Sequence, residues 1–166
     1  MQRRSTIRSY NAHGTSVIEA VLGTVLLSVT LAIGFDFAIL LMGYQANSAV
    51  CREAARTASM TVPSRSDKNG TAALGSPLYA SAWNVLAERG RFGNCWITSP
   101  VLKEVSIEGL RFNDAAGVGS PISGFVSVTS ATTITLPVVV QNVTPSKVTL
   151  QATFCYPITA VSEPSG

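Results

Sequence analysis

An apolar stretch near the N-terminus limits most strongly what this chain can fold into. From Ala20 to Phe35 there are sixteen consecutive residues without a charge, and apolar residues dominate from 17 to 42 apart from Asp36. A helix over residues 17–42 is about 39 Å long. That length is enough to cross a hydrocarbon layer of about 30 Å with some tilt. The sequence therefore predicts a membrane-spanning helical half over residues 17–42.

Basic residues precede this stretch, and acidic residues do not. Arg3, Arg4 and Arg8 all lie before Gly14, and the first acid of the chain is Glu19. Because positive residues stay on the cytoplasmic side of a membrane helix, we expect a single pass with the N-terminus in the cytoplasm and the C-terminal body outside. A cleavable secretory signal is the alternative, but its apolar core is shorter and its small-residue cleavage site follows closely.

The helix is predicted to continue beyond the membrane, because residues 43–60 contain no proline and show helical periodicity. The apolar positions of this periodicity are Ala46, Ala49 or Val50, Ala54 and Ala58. The polar side carries Arg52, Glu53 and Arg56. The first proline, Pro63, stands at the start of a polar loop. We therefore expect one helix over 15–60, roughly 65 Å long, with an apolar membrane half and an amphipathic half over 43–60.

The remainder of the chain, residues 61–166, is predicted to be an extracytoplasmic α+β body. Apolar residues at helical spacing indicate a short helix over 79–90, with Gly90 as its C-cap. Strand patterns rich in Val, Ile and Thr cover 101–112, 124–140 and 147–158. The expected fold class is α+β, with a long N-terminal transmembrane helix packed on a small antiparallel sheet. The pattern leaves the pairing order of the strands open.

Three cysteines allow several interpretations. Cys95 and Cys155 both belong to the predicted body, so we expect them to form a disulfide in an oxidising compartment, with pairings that involve Cys51 as the alternative. Cys51 lies on the helix just above the membrane, where a small buried thiol is the simplest interpretation. No CxxC pair is present and the single histidine, His13, lies before Gly14. A metal site or another cofactor is therefore not expected.

Charge and motifs argue against two broad classes of function. Of the twelve basic residues three precede Gly14, so nine remain beside nine acids, and no basic cluster is available to bind nucleic-acid phosphates. One histidine next to Gly14 cannot serve a Ser–His or Cys–His nucleophile in the body, and phosphate-loop and G-x-S-x-G motifs are lacking. We therefore expect no nucleic-acid binding and no enzymatic activity, and a membrane-tethered enzyme is the most distant alternative.

Several of these features form one combined pattern. Gly14 is followed by four uncharged residues and Glu19, then by the apolar run with a second acid at Asp36, and finally by the helical segment 52–56, Arg-Glu-Ala-Ala-Arg. This pattern resembles the TadE-like (TadE/TadF/TadG) minor pseudopilins of tight-adherence pili, a branch of the type IV pilin superfamily. The chain departs from the family pattern at Ala20, where an aromatic residue is usual, and its apolar run lacks the common proline.

The resemblance implies a processing event and an assembly contact. A prepilin peptidase would cut after Gly14, so that residues 1–14 are a cleaved basic leader and Thr15 becomes the N-terminus. Glu19 would then pair with the N-terminal amine of a neighbouring subunit. A lone carboxylate in a low-dielectric environment has to be neutralised or paired with a positive charge. The alternative is that Glu19 only marks the start of the helix. For Asp36 the expected positions are the outer membrane boundary or a contact with a partner helix, and a proton relay is the most distant alternative.

The function implied by the resemblance is structural. The chain would be a pseudopilin or minor pilin of a Tad-type pilus or a related secretion filament, held in a bacterial inner membrane and then incorporated into the pilus. Its partners would be the prepilin peptidase, other pilin or pseudopilin subunits, the pilus assembly platform and inner-membrane lipid. The alternative is a single-pass, membrane-anchored periplasmic binding or envelope protein whose N-terminus is never processed.

Overall fold

The computed structural model describes residues 8–64, 67, 69–91, 96–112, 122–137 and 147–160, with side chains from residue 16 onward. Its elements, in chain order, are α1 (Arg8–Met60), β1 (Gly70–Thr71), α2 (Pro77–Arg89), β2 (Val101–Arg111), β3 (Ser123–Thr135) and β4 (Lys147–Pro157). The strands form one antiparallel sheet. The predicted α+β class, a long N-terminal helix with a small antiparallel sheet, is therefore confirmed.

Helix α1 is a single helix of 53 residues, about 80 Å long. It begins at Arg8 instead of residue 15, because nothing between 8 and 14 interrupts a helical backbone. Two parts differ in burial. From 16 to 35 every side chain is exposed except the half-buried Ala32. Beyond residue 35 one face of the helix is covered by the rest of the chain, which we call the body.

The covered face of α1 begins at Asp36, inside the predicted membrane half, and not at residue 43. Its buried residues are Asp36, Ile39, Gly43, Asn47, Val50, Cys51, Ala54, Ala55, Ala58 and Ser59. They recur every three or four residues and so occupy one face of the helix. Arg52 and Arg56 are exposed on the opposite side, as predicted.

The sheet has the order β1-β2-β3-β4, so each strand pairs with its neighbour in sequence. In β3 every second residue from Val126 to Ile134 is buried. The residues between them are half-buried, except Ala131, which is also buried. On the outward face, the Oγ1 atoms of Thr129 and Thr153 lie 2.9 Å apart across β3 and β4. The last three strands thus match the predicted positions. However, β3 ends at Thr135, and the predicted strand residues 138–140 lie outside the described residues.

The main core lies between the sheet, α1 and α2. Its fully buried strand residues are Val105, Ile107, Val126 and Val128, and the first two were expected to face inward. From α2 the buried residues are Leu78, Ala82 and Leu86. A second, smaller cluster of Ile39, Ile97, Ile134 and Leu136 lies at the end of the body nearer to Asp36.

Both ends of α2 are capped, and of the two caps only Gly90 was expected from the sequence. The Ser76 hydroxyl accepts a hydrogen bond from the Tyr79 N–H at 3.2 Å, and a proline occupies the first turn. At the other end, Gly90 donates its N–H to the Leu86 carbonyl. Gly90 has a negative φ of −76°, so the left-handed conformation is not the reason for a glycine. Instead, an added Cβ would overlap the Leu86 carbonyl and lie 2.9 Å from Pro100 Cγ.

Candidate assembly surface

The exposed part of α1, residues 16–35, is a continuous apolar surface, and we call it the free segment. It is about 30 Å long, which equals the usual thickness of the hydrocarbon core of a bilayer. Leu22, Leu26 and Leu31 are 71%, 70% and 66% exposed. Soluble monomers rarely expose a continuous apolar surface of this size. Among the described helices, α1 is long and apolar enough over Ser16–Met60 to cross a membrane.

Three hydroxyl groups of the free segment are satisfied within the helix. Thr24 Oγ1 donates to the Ala20 carbonyl at 2.8 Å, Ser28 Oγ donates to the Thr24 carbonyl at 2.8 Å, and Thr30 Oγ1 donates to the Leu26 carbonyl at 2.9 Å. Polar groups in a hydrocarbon layer have no water to bind and must find partners inside the protein. The free segment therefore meets this requirement for these three hydroxyls.

The predicted processing and pairing residues lie at the N-terminal end of α1. Gly14 and Thr15 belong to the helical backbone, and the side chain of Thr15 lies outside the described part of the structure. Glu19 is exposed on the free segment, about 6 Å along the helix from Thr15. Its carboxylate is thus accessible to another chain. Cleavage after Gly14 and pairing of Glu19 both stay predictions.

Asp36, the second predicted assembly residue, has a different environment. Its side chain is only 2% exposed, and it is the first buried residue along the described part of α1. It lies about 25 Å along the helix from Glu19, so the structure does not bring the two acids together. The body of the same chain covers Asp36, and its position relative to the membrane boundary or to a partner helix stays a prediction.

Gly43 marks a close approach between α1 and the body. An added Cβ would overlap Cδ1 of Ile134 and lie 3.1 Å from its Cγ1 and 3.7 Å from Cδ1 of Ile97. By contrast, a Cβ added to Gly23 or Gly34 in the free segment would meet nothing within 4 Å. The fold of the chain itself therefore requires a small residue at 43 but not at 23 or 34. Small residues on membrane helices allow close helix–helix contact.

One turn beyond Gly43, a buried amide attaches α1 to the sheet. Asn47 is fully buried, its Oδ1 accepts from Ser130 Oγ at 2.9 Å, and its Nδ2 donates to the Leu150 carbonyl at 3.4 Å. The sequence analysis missed this residue. The sequence could have indicated it, because Asn47 lies at helical spacing between Gly43 and Val50. A polar side chain on that face of the helix needs a buried partner.

Two of the three cysteines lie in the described part of the chain. Cys51 is a free, fully buried thiol whose single S–H is shared between the carbonyls of Val128 at 3.3 Å and Ala152 at 3.2 Å from its Sγ. The interpretation of Cys51 as a small buried thiol is confirmed. Cys155 is a free, exposed thiol on β4. Cys95 lies outside the described residues, so the 95–155 disulfide stays a prediction.

The Asn47–Ser130 pair provides a test of how the body is held. Asn47→Ala and Ser130→Ala should each lower the free energy of unfolding by about 1–3 kcal/mol, because each leaves a buried polar partner unsatisfied. The double variant should lose less stability than the sum of the two single losses, because both substitutions remove the same hydrogen bond. Urea unfolding in detergent, followed by circular dichroism, measures all three values.

The control is Thr129→Ala, which removes an exposed hydroxyl contact on the outer sheet face and should change stability by less than about 0.5 kcal/mol. If the stability losses of Asn47→Ala and Ser130→Ala were strictly additive, the two side chains would not be coupled, which would contradict the buried hydrogen bond between them.

Charged contacts on the described surface are exposed and weak. Arg89 Nη1 of α2 lies 2.9 Å from Glu53 Oε1 of α1, with the two side chains 63% and 41% exposed. Such pairs contribute about 0–1 kcal/mol. Arg52 lies 5.4 Å from the ring centroid of Phe154. Among the described residues, no group of three or more His, Cys, Asp or Glu side chains could hold a metal ion.

The chain matches no protein-family model, and neither characterised proteins nor solved structures give a significant match. Its function is therefore inferred from the residues and the geometry described above.

Proposed function

We propose that this protein is a structural subunit of a pilus or related secretion filament, a TadE-like pseudopilin or minor pilin held in a bacterial inner membrane until it assembles. The observation that carries the proposal is the exposed free segment, with Glu19 near its start, five residues after Gly14. The same helix continues without a break under the body. In a filament subunit, one helix has to insert between neighbours and also position the body.

The proposed assembly contact follows from the charge near the start of the free segment. Cleavage after Gly14 frees the α-ammonium group of Thr15, and Glu19 of a neighbour supplies the opposite charge. An isolated carboxylate in an apolar surrounding is costly, so pairing drives the two helices together. Because Thr15 and Glu19 are about 6 Å apart along one helix, paired neighbours are staggered by about that distance. The open surface at Gly23 and Gly34 supports close helix packing.

The proposal includes a set of partners and a location. A prepilin peptidase removes the leader, inner-membrane lipid surrounds the free segment before assembly, and other pilin or pseudopilin subunits and the assembly platform replace that lipid afterwards. The N-terminus is cytoplasmic and the body extracytoplasmic. Neither nucleic acid nor a cofactor takes part, and the protein is not an enzyme.

Mass spectrometry of the mature protein tests the proposal directly. We expect Thr15 as the first residue, and we expect Gly14→Leu to leave the precursor uncut, because a bulky residue replaces glycine at the cleavage site. Gly23→Leu is the matched control. It makes the same change where there is open space, and it should be processed normally.

An intact Met1 in the parent protein would favour the alternative function, a single-pass anchored envelope protein that is never processed. The observation that supports this alternative is the helical backbone of α1, which runs from Arg8 through Gly14 without interruption. A peptidase would have to open this helix to reach the bond after Gly14.

The disulfide is a further part of the proposed mature body. We expect Cys95 and Cys155 to be linked, with Cys51 reduced, and by the loop-entropy model the link contributes roughly 4 kcal/mol of stability. Peptide mapping of envelope-derived protein without reductant should yield one linked pair that contains Cys95 and Cys155. A linked peptide that contains Cys51, or three free thiols, would refute the assignment.

A further inference from the structure

The contacts between α1 and the last two strands define the height of each part of the body along the helix. These contacts are Cys51 with Val128 and Ala152, Asn47 with Ser130 and Leu150, and Gly43 with Ile134. From Cys51 to Asn47, about 6 Å of helix corresponds to two residues of β3, and from Asn47 to Gly43 a further distance of about 6 Å corresponds to four residues of β3. Along β3, higher residue numbers therefore lie closer to the free segment.

Among the described residues, five lie at the end of the body that faces the free segment, and we call them the base. The base consists of Trp96, Ile97, Leu136, Lys147 and Val148. Leu136 and Ile97 pack with Ile39 of α1. The Trp96 carbonyl accepts a hydrogen bond from the Thr135 N–H at 2.7 Å, and Lys147 is the β4 partner of Thr135. The base therefore lies near the level of Ile39, about 5 Å beyond Asp36.

The side chains at this level combine aromatic rings with a positive charge. Trp96 is 37% exposed, and Lys147 is exposed. On the helix, Phe35 and Phe37 are 52% and 60% exposed. Tryptophan is enriched at membrane–water interfaces because its ring is apolar and its N–H is polar. Lysine near a bilayer surface is attracted to lipid phosphates. The composition of the base is thus typical of a surface at headgroup depth.

The rigid connection between the free segment and the body determines how deep the base lies. The free segment matches a hydrocarbon core of about 30 Å, which places Asp36 at the edge of that core. Headgroup layers extend roughly 5–7 Å beyond the hydrocarbon on each side. Because α1 is continuous and holds the body directly through Gly43, Asn47 and Cys51, the body cannot move away from the bilayer on a flexible linker.

We infer that the base of the body is a lipid-binding surface, with the Trp96 side chain among the headgroups of the outer leaflet and the Lys147 ammonium beside their phosphates. This inference depends on α1 being a membrane anchor, which the proposed filament subunit and its alternative share. It does not depend on cleavage or on filament assembly.

The chain carries an internal control for this inference, because it has two tryptophans. Trp83 lies on α2 and is 48% exposed. Its helix is attached to α1 through Arg89 and Glu53, and Glu53 lies about 20 Å further along α1 than the base. Trp83 should therefore lie in water, well above the headgroups.

Fluorescence quenching by brominated lipid tests the depth of each tryptophan. Trp83→Phe and Trp96→Phe variants of the full chain are reconstituted in phosphatidylcholine vesicles with bromine atoms close to the headgroup. We expect about a twofold loss of Trp96 emission, as for an interfacial ring, and almost none for Trp83. Co-sedimentation with the vesicles shows in each case that the chain is anchored.

The possible outcomes distinguish a failure of the lipid-binding base from a failure of the membrane anchor. Co-sedimentation without quenching of Trp96 overturns the inference and leaves the anchor intact, whereas a chain that stays in solution overturns the anchor itself. Trp96 emission that depends on protein concentration but not on bromine would show that a second copy covers the base, and this also overturns the inference. In vesicles with added phosphatidylglycerol, Lys147→Glu should weaken the quenching. Lys103→Glu on β2, the matched control, should not.

Discussion

Gly43→Leu is expected to lower the free energy of unfolding of the body by about 2–3 kcal/mol, because the new side chain overpacks the contact between α1 and β3. Ile134, which faces Gly43, is fully buried and packs with Ile39 and Ile97, so it has little room to move. In a body of about 100 residues, the midpoint of thermal unfolding should fall by roughly 10–15 °C. Circular dichroism of detergent-solubilised protein measures this midpoint.

Gly34→Leu is the matched control on the same helix. An added side chain at that position meets nothing within 4 Å, and leucine has a higher helix propensity than glycine by nearly 1 kcal/mol. The control should therefore be neutral or slightly stabilising. Gly43→Ala should have a smaller effect than Gly43→Leu, since the overlapping atom is the terminal methyl of Ile134. Equal losses at 34 and 43 would show that the effect arises outside the contact with the body.

Glu19→Ala is expected to leave membrane insertion and leader cleavage intact but to prevent incorporation into filaments. Removal of the acid makes the free segment more apolar, so insertion should not suffer. The neighbour's α-ammonium group loses its partner, and breaking a buried ion pair costs about 3–5 kcal/mol, more than a hundredfold in an equilibrium constant. Immunoblots of sheared filaments and of the membrane fraction measure incorporation.

Glu88→Ala removes an exposed acid of α2 and serves as the control, which should assemble like the parent protein. If Glu19→Ala enters filaments as efficiently as Glu88→Ala, Glu19 has no pairing role. It would then be only an acid near the start of the helix.

The elements with clear periodicity could be predicted from the sequence. The inward positions of Val105 and Ile107 follow from the two-residue period of a strand, and the exposed Arg52 and Arg56 follow from the helical period. β1 was missed because its two residues, Gly70 and Thr71, are too few for any periodicity, and because α2 separates it in sequence from its partner β2. Pairing order likewise depends on contacts between distant segments, which no local pattern records.

The boundary between the free segment and the body could not be read from the sequence. Residues 37–42 are apolar whether they face lipid or the core of the body, so the apolar run predicted a membrane half that ends at 42. The structure covers Asp36 and Ile39 with the body. Asn47 escaped notice for a related reason, since a single polar residue in an amphipathic helix is normally assigned to solvent.

Because α1 is one continuous helix, the direction in which the body points depends on the number of helical residues that precede it. Each residue turns the helix by about 100°, so one residue inserted between Phe35 and Asp36 would point the body to a different side and raise it by about 1.5 Å. Seven inserted residues would complete nearly two turns and restore the direction to within about 20°, at a height about 10 Å greater. When subunits touch through their free segments, the number of residues between that contact and Asp36 determines the direction around the helix axis in which each body points.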